Sequence, residues 1–331
     1  MVSDFEKTLL VLADVNAPLA TGDLYALSDL SRNNRDLFVQ RWPSIALERR
    51  RQIVRLLAEA AERNYELDYR VLLRATMQDE DAEVRALSIE GLWEDEDFTL
   101  VQPLASAMLH DPAEMVRAAA AISLARFVLM AEMGDLDERY ARIAREALWQ
   151  VVRSPNETLE VRRRAIESIA YLCEEGVREV IAEAYAHTSE QMRLSAVFAM
   201  GRTADPYWTE IILNELDSES PAMRYEAARA AGELQAKAAV TVLIRLIEDP
   251  DPEVREAAIW ALGQIGGNRA QRALERCCQG ADEALREAAE EALAELTLGS
   301  EPFDLLVYGS QEAEENESEE TDEDEYWDEE W

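Results

Sequence analysis

An arginine recurs at a fixed interval along most of this chain, and that interval constrains the fold more than any other feature. Five copies are spaced 31 residues apart, at Arg162, Arg193, Arg224, Arg255 and Arg286. Two further copies, at Arg85 and Arg117, keep the same neighbouring residues at a looser spacing. Periods of this length are typical of stacked supersecondary units that bury their apolar faces against one another. The sequence therefore predicts a solenoid instead of a single globular core.

The residues around each arginine predict an amphipathic helix. An apolar residue precedes the arginine, a small residue follows it by three and, except at Ala231, a bulky one by seven, as Val254, Ala258 and Leu262 do around Arg255. These offsets lie on one face of a helix. A residue that favours the helix N-cap stands four before the arginine in all copies but one, where it is Ala113. The predicted caps are Asp81, Thr158, Ser189, Ser220, Asp251 and Asp282.

The repeat divides the chain into three parts. Residues 1–43 are helical in pattern but out of register, as expected for an N-terminal cap that faces water on one side, and they end at Pro43, which disfavours helix before it. Residues 44–298 hold the repeats, and we expect roughly eight helix pairs from about Asp23 to Leu298. The step from Arg117 to Arg162 holds fourteen residues beyond the usual 31, which predicts a lengthened helix pair around Gly134.

Residues 299–331 form an acidic tail. From Glu301 to Trp331 the chain has fifteen Asp and Glu residues and no Lys or Arg. Such a segment cannot bury enough apolar surface to offset its ordering entropy, so we predict that it is largely disordered in the free protein. The expected fold class is all-α: an α-solenoid of helix pairs with a disordered acidic C-terminal tail.

Charge and hydropathy restrict the partners. Against 33 basic residues the chain has 69 acidic ones, a net charge of −36, which disfavours nucleic acids and anionic membrane surfaces. No apolar stretch approaches the ~18 residues of a membrane span, and the first residues, MVSDFEKTLL, lack the basic segment of a secretory signal. We expect a cytoplasmic protein whose partner is a protein with a basic surface.

The copy DPEVREAAIWALG, residues 251–263, carries an acidic turn, Val-Arg, a small residue and Ala-Leu-Gly. This pattern resembles the HEAT-repeat superfamily, and in particular the short HEAT-like repeats of phycobilisome lyases. The resemblance covers roughly Ser44 to Leu298. It implies that the arginines and turn acids form a ladder between neighbouring units and that the second helices line the concave side. Such repeats serve scaffolds, adaptors and a few enzymes, so the activity stays open.

Catalytic and cofactor chemistry finds little support in the sequence. His110 and His187 both stand at predicted turns, and neither forms the His-Glu pair that HEAT-like di-iron hydroxylases carry in several copies. Cys173, Cys277 and Cys278 have no metal-ligand spacing. There is also no nucleophile motif and no glycine-rich phosphate loop. We expect no enzymatic activity, no cofactor and no metal.

A protein-binding surface is better supported. Residues one and five after each arginine should be exposed on the second helices, and in three successive units they predict one patch: Leu194, Phe198, Tyr225, Arg229 and Trp260. Aromatic and arginine side chains carry most of the energy of protein interfaces. The same offsets hold Glu256 and Glu291. In the alternative interpretation, Phe198 and Trp260 fold down between the helices as core.

The tail also has two interpretations. It is either a solubilising appendage or a docking segment, because Tyr326, Trp327 and Trp331 stand among its carboxylates. A docking tail would bind a basic surface on the partner, or this chain's own arginines at 49–51 and 162–164. The sequence thus favours a non-enzymatic scaffold or adaptor with the tail as a second contact. The alternative is a lyase-like or maturation factor for a cofactor-bearing protein.

Overall fold

The computed structural model describes residues 4–19, 21–64 and 66–300. Within them the chain forms eighteen α-helices, four short 3-10 helices and no strand, which confirms the all-helical prediction. None of these helices is long and apolar enough to cross a bilayer. The tail predicted to be disordered lies, from residue 301 onwards, outside the described residues. The division at residues 43 and 298 stays a prediction.

Three helices precede the first helix that carries the repeat: α1 (Asp4–Ala13), α2 (Thr21–Tyr25) and α3 (Arg32–Arg41). A 3-10 turn at Trp42–Ser44 follows, so Pro43 stands where the chain leaves the helix. Next comes α4 (Leu47–Arg63). Arg49 of this helix donates its Nε–H to the carbonyl oxygen of Leu12 at 2.7 Å, which ties the N-terminal helices to the solenoid.

Seven further helix pairs stack after α4. Their first helices are α5 (Arg70–Thr76), α7 (Val101–His110), α9 (Glu138–Val152), α11 (Val177–Tyr185), α13 (Thr209–Glu215), α15 (Val240–Leu246) and α17 (Asn268–Cys278). Their second helices are α6 (Ala82–Glu90), α8 (Glu114–Met133), α10 (Leu159–Ile169), α12 (Glu190–Arg202), α14 (Pro221–Glu233), α16 (Pro252–Ile265) and α18 (Glu283–Ser300). From α4 onward, each second helix packs against the second helix of the next unit. The expectation of roughly eight helix pairs compares with these seven pairs and α4, which packs against α6 and α1 but not to the same extent against α3.

The helical offsets define the core. In α16, Val254, Ala258 and Leu262 are fully buried, as their spacing around Arg255 predicts. The small residue three after the arginine is completely inaccessible in every copy, at Ser88, Ala120, Ala165, Ala196, Ala227, Ala258 and Ala289. Because a small side chain at this position lets adjacent helices approach closely, its burial explains why the repeat tolerates so little variation there.

The predicted caps begin the second helices where expected. Four of them accept hydrogen bonds from backbone N–H groups of the first turn: Asp81, Thr158, Asp251 and Asp282. Ser189 and Ser220 occupy the N-cap position without a side-chain bond of this kind. Ala113, the predicted exception, also begins its helix uncapped.

The extra residues after Arg117 lengthen the two helices on either side of Gly134, as predicted, but these helices belong to neighbouring pairs: α8 ends one pair and α9 begins the next. Helix α8 has 20 residues and α9 has 15. Gly134 separates them with φ +84°, a left-handed conformation that a side chain would strain.

The second helices α12, α14 and α16 approach to backbone contact. A Cβ atom on Gly232 would lie 2.9 Å from the Cα of Ala261 and 2.6 Å from Cζ3 of Trp260. A Cβ on Gly201 would lie 2.8 Å from the Cα of Ala230. Glycine eight residues after the arginine is therefore required by close packing. It also lets the Trp260 ring lie flat on the preceding helix.

The arginine ladder forms where the next turn supplies a carboxylate. Arg85 donates from Nε and Nη2 to the two carboxylate oxygens of Asp111, both at 2.8 Å. Arg224 makes the same fork with Asp249, again with both distances 2.8 Å. Each also donates Nη1 to backbone carbonyl oxygens of its own turn. These bonds link consecutive units, as the family resemblance implies.

The ladder is interrupted elsewhere, so only some of the arginines that the resemblance assigns to it link neighbouring units through an ion pair. Arg117 pairs with Glu157 at 2.8 Å, but Arg193 and Arg255 donate only to carbonyl oxygens of their own turns. The Arg162 side chain makes no hydrogen bond or ion pair within the described residues. The physical reason is the residue that stands in the next turn where the carboxylate belongs; after Arg162, Arg193 and Arg255 it is His187, Ser218 and Gly280.

Candidate protein-binding groove

The five residues of the predicted patch lie on three successive second helices and are all half-buried. Tyr225 and Arg229 of α14 and Trp260 of α16 line one cavity of about 630 Å³ between α14, α16 and α18. We call this cavity the second-helix groove. Leu194 and Phe198 of α12 do not line it, so the structure brings three of the five residues together.

Trp260 is both a packing residue and a surface residue. Its ring lies against Gly232 on one side, while the guanidinium carbon of Arg229 stands 3.5 Å from the ring centroid. A cation over the face of an indole is attracted by the ring quadrupole, most strongly where water is partly excluded. Trp260 thus combines the two sequence interpretations, because its ring packs on the preceding helix and still lines the groove.

Phe198 belongs to a neighbouring cluster. The guanidinium carbon of Arg202 lies 5.0 Å from the centroid of the Phe198 ring and 5.8 Å from that of Tyr171. Arg202 also forms an ion pair with Glu233 at 3.2 Å. Arg202 therefore has an acidic partner and two aromatic neighbours, one of which is Phe198. Phe198 belongs to this cluster and does not line the second-helix groove.

Four carboxylates line the second-helix groove beside the aromatic rings: Glu253, Glu256, Glu291 and Glu295. Glu256 and Glu291 lie at the same helical offsets as the predicted patch. The predicted patch does not include them, because it is chosen for aromatic, apolar and arginine side chains. Glu253 and Glu295 lie at offsets that no pattern singles out. With four carboxylates against Arg229, the groove has a net negative charge.

Glu226 is a half-buried acid on α14, one residue after Tyr225. Burial is the largest cause that raises its pKa, to about 7, and the carboxylates of Glu167 and Glu233 raise it further. The nearby cations Arg229 and Arg202 act in the opposite direction. A carboxyl group with this pKa changes from its neutral to its ionised form near neutral pH.

The remaining candidate chemistry is sparse in the part of the chain that the structure describes. No group of three or more His, Cys, Asp or Glu residues there has a geometry suited to a metal ion. The three cysteines are free thiols, and Cys173 is exposed. Burial raises the pKa of each thiol above its ordinary value, which lowers the reactive thiolate fraction.

The tail residues Tyr326, Trp327 and Trp331 lie outside the described residues. Most arginines of the clusters proposed as internal docking sites for them form ion pairs within the described residues, and docking of the tail stays a prediction. Arg50 pairs with Asp79 at 2.7 Å, and Arg51 pairs with Asp81 at 2.7 Å. Arg163 and Arg164 both pair with Glu160. Arg49 and Arg162 have no acidic partner in the described structure, and of these two only Arg162 makes no guanidinium hydrogen bond, since Arg49 donates to Leu12 and Gln52.

Comparison with known proteins agrees with the helical stack. A family model of HEAT repeats matches residues 69–149 and 209–294, which together make up half of the chain. The chain belongs to the HEAT-repeat family. Its second-helix groove accordingly lies on helices that, in a HEAT-repeat solenoid, line the concave side.

Solved structures are similar to this HEAT-repeat protein at low sequence identity. Yeast importin-beta (Kap95p) is similar with 15% sequence identity over 88% of this chain and 46% of that chain, at a TM-score of 0.50. Human deoxyhypusine hydroxylase in complex with glycerol has 19% identity over 89% and 96% of the two chains, at a TM-score of 0.37. An engineered protein has 19% identity over 88% and 84%, at a TM-score of 0.41. No curated protein matches the sequence.

Proposed function

We propose that this HEAT-repeat protein is a non-enzymatic scaffold or adaptor that binds a protein partner in its second-helix groove. The observation that carries the proposal is the combination of half-exposed Tyr225 and Trp260 with the carboxylates of Glu256 and Glu291 in one cavity. Aromatic rings supply contact area, and carboxylates select positive charge and fix its register. The partner therefore presents a basic segment.

The groove suits lysine and arginine side chains in particular. Their aliphatic stems pack on aromatic surface while the charged end reaches a carboxylate. Arg229 already stacks on Trp260 in this manner. A basic side chain of the partner would reproduce that contact between α16 and α18, where Glu256 and Glu291 lie.

The test compares partner capture by matched aromatic variants. Tyr225→Ala combined with Trp260→Ala should reduce binding at least about ten-fold, which corresponds to about 1.4 kcal/mol. Tyr207→Ala is the control, because Tyr207 is 60% exposed and lies away from the groove. Proteins captured from native lysate by the wild type and the control, but not by the double variant, are groove partners. Equal capture by all three chains contradicts the proposal.

Folding must be measured alongside, because the aromatic residues are half-buried. If the double variant loses helical circular dichroism, or unfolds about 3–5 kcal/mol more easily, the two rings act as core and their loss says nothing about binding. The charge test then decides.

In that test, Glu256→Gln with Glu291→Gln should weaken partner binding and flatten its dependence on salt. The matched control is Glu179→Gln with Glu210→Gln, which removes the same charge from exposed positions on α11 and α13. An unchanged salt dependence in the groove variant would show that the carboxylates do not contact the partner.

We further propose that the tail is a second contact, through Tyr326, Trp327 and Trp331. The resemblance of the repeats to those of phycobilisome lyases supports a different candidate, a lyase-like or maturation factor for a cofactor-bearing protein. A captured partner that carries a pigment or prosthetic group would favour this second candidate. A partner without one would favour the adaptor.

A further inference from the structure

Arg162 is the ladder arginine whose environment differs most from the others. In the intact rungs the guanidinium forks onto an aspartate of the next turn, as Arg224 does with Asp249. The Arg162 guanidinium has no acidic partner and no hydrogen bond within the described residues, and its Nε atom is buried, as are the unpartnered Nε atoms of Arg117 and Arg255. A buried charged donor without an acceptor is unfavourable, and Arg162 differs from those two arginines because no other nitrogen of its guanidinium is bonded either.

We call the ladder position of Arg162, which has no carboxylate partner, the open rung. The reason that the partner is missing lies in the next turn. His187 stands 25 residues after Arg162, the same separation as between Arg224 and Asp249. The ring Nδ1 of His187 accepts the backbone N–H of Ser189 at 3.0 Å, which is the turn contact that Asp249 makes with Asp251. Histidine therefore preserves the turn but offers Arg162 no carboxylate. With Nδ1 as acceptor, neutral His187 carries its proton on Nε2 and is a donor there.

A cavity of about 480 Å³ opens at this rung, between the α9–α10 pair and the α11–α12 pair. Arg153, Arg162 and His187 line it together with apolar side chains that include Ile166. Arg153 is exposed and stacks on Trp149, with its guanidinium carbon 4.4 Å from the ring centroid. Two guanidinium groups and an imidazole thus border one cavity.

One carboxylate, that of Glu183, also lines this cavity. Glu183 is exposed on α11 and makes no ion pair in the described part of the chain. It leaves the cavity with a net positive charge, in a protein whose overall charge is −36. Positive potential in so acidic a chain favours an anionic ligand at this point.

We propose that this cavity, the Arg162 pocket, binds an aspartate or glutamate side chain from an acidic peptide segment. Such a carboxylate would accept the bidentate fork of the guanidinium that Asp111 and Asp249 accept in the intact rungs, which is the strongest arrangement for this pair. The Nε2–H of His187 is a further donor for it. The site lies on the ladder and is separate from the second-helix groove, so it stands without the function proposed above.

Two sources of the carboxylate are compatible with this chemistry. One is the chain's own tail, whose fifteen acidic residues begin at Glu301, directly after α18. A chain of 31 residues can span up to about 100 Å, whereas three helix pairs stacked at about 10 Å each make up roughly 30 Å. Tethering would also give the tail a high effective concentration. The other source is an acidic segment of another protein.

The probe is a labelled synthetic peptide with the sequence of residues 312–331, titrated against the full chain and against a chain that ends at Ser310. The shorter chain keeps every described helix. We expect the shorter chain to bind the peptide and Arg162→Gln to lower that affinity at least about ten-fold. Arg255→Gln is the matched control, because Arg255 holds the same ladder position and already donates to the carbonyl oxygens of Asp249 and Pro250.

Binding of the peptide to the full chain shows whether the carboxylate comes from the chain's own tail or from another protein. If its own tail occupies the Arg162 pocket, the peptide should bind the full chain at least about ten-fold more weakly than the shorter chain. Equal binding to the two chains assigns the pocket to an external acidic segment. Either result supports the pocket, provided that binding depends on Arg162.

A second variant closes the pocket without removing the arginine. His187→Asp restores the aspartate of the intact rungs, so it should pair with Arg162, raise the unfolding temperature and abolish peptide binding. His110→Asp adds the same charge at an exposed position on α7 and should leave binding unchanged. The proposal is overturned if the shorter chain does not bind the peptide, or if Arg162→Gln and His187→Asp both bind it within two-fold of the wild type.

Discussion

At the residue scale, the groove owes its character to side chains that serve two purposes. Trp260 packs against the backbone of α14 at Gly232 and has the guanidinium of Arg229 over its ring. Glu226 lies on the same helix, one residue after the groove residue Tyr225 and six before Gly232, and burial raises its pKa to about 7. A carboxylate in such a position costs folding stability at neutral pH.

The raised pKa of Glu226 predicts a pH-dependent stability. The folded carboxyl group has a pKa of about 7, against 4.5 in the unfolded chain, so the folded state binds the proton more tightly. Its stabilising contribution is complete below pH 4.5 and is lost as the pH rises through 7. Glu226→Gln should therefore gain stability relative to the wild type between pH 5 and pH 8, by on the order of 2 kcal/mol.

Chemical denaturation of both chains across this pH range measures the effect. Glu256→Gln is the control, since it removes one negative charge from an exposed position in the same groove. A stability difference between Glu226→Gln and the wild type that does not change with pH would show that Glu226 is not buried in its charged form.

At the element scale, the second helices resemble one another in sequence but not in how they begin. Asp251 caps α16 by accepting the N–H groups of Glu253 at 2.9 Å and Val254 at 3.4 Å. Ser220 stands at the same position before α14 and makes no such bond. Pro221 follows it and has no N–H to satisfy. Equivalent positions in the repeat therefore differ in what they contribute.

Substitution of the two caps should show this difference. Asp251→Ala is expected to lower the free energy of unfolding by about 1 kcal/mol, because two N–H groups of the first turn lose their acceptor. Ser220→Ala should change it by only a few tenths of a kcal/mol. Asp251→Ser, which keeps an acceptor, should recover most of the loss. Equal effects of the two alanine substitutions in urea unfolding would contradict the assigned capping.

At the scale of the whole molecule, stability is the sum of the units and of the contacts between neighbours. The units are joined by stacked second helices along the whole array, whereas the ladder joins only some of them. The interruption at Arg162 lies between the two segments that match the HEAT-repeat model. The solenoid thus contains two specialised places, the open rung in its middle and the groove near its C-terminal end.

The tail is expected to act on partner binding by charge and by contact. Truncation after Ser310 should lower affinity for the groove partner and flatten its salt dependence, since it removes most of the acidic segment. Trp327→Ala with Trp331→Ala leaves the charge unchanged, so affinity should fall while the salt dependence stays. Binding titrations at several salt concentrations distinguish the two variants. If both bind as the full chain does and truncation reduces only solubility, the tail is a solubilising appendage.

The sequence by itself determined the helices, because helix formation depends on residues three to seven apart. The apolar offsets, the caps at Asp81 and Asp251 and the lengthened helices around Gly134 are all of this local kind. The repeat also located the groove residues Tyr225, Arg229 and Trp260, since equal steps place equal offsets side by side.

Only the tertiary structure decided which rungs are closed, that Phe198 lies outside the groove and that Glu226 is buried among carboxylates. These properties depend on distances between side chains of neighbouring units, about 25 to 60 residues apart in sequence. A repeat pattern assigns the same role to every copy. Packing then distinguishes them, because a single replacement such as His187 for aspartate changes an ion pair into an open site while the helices around it stay the same.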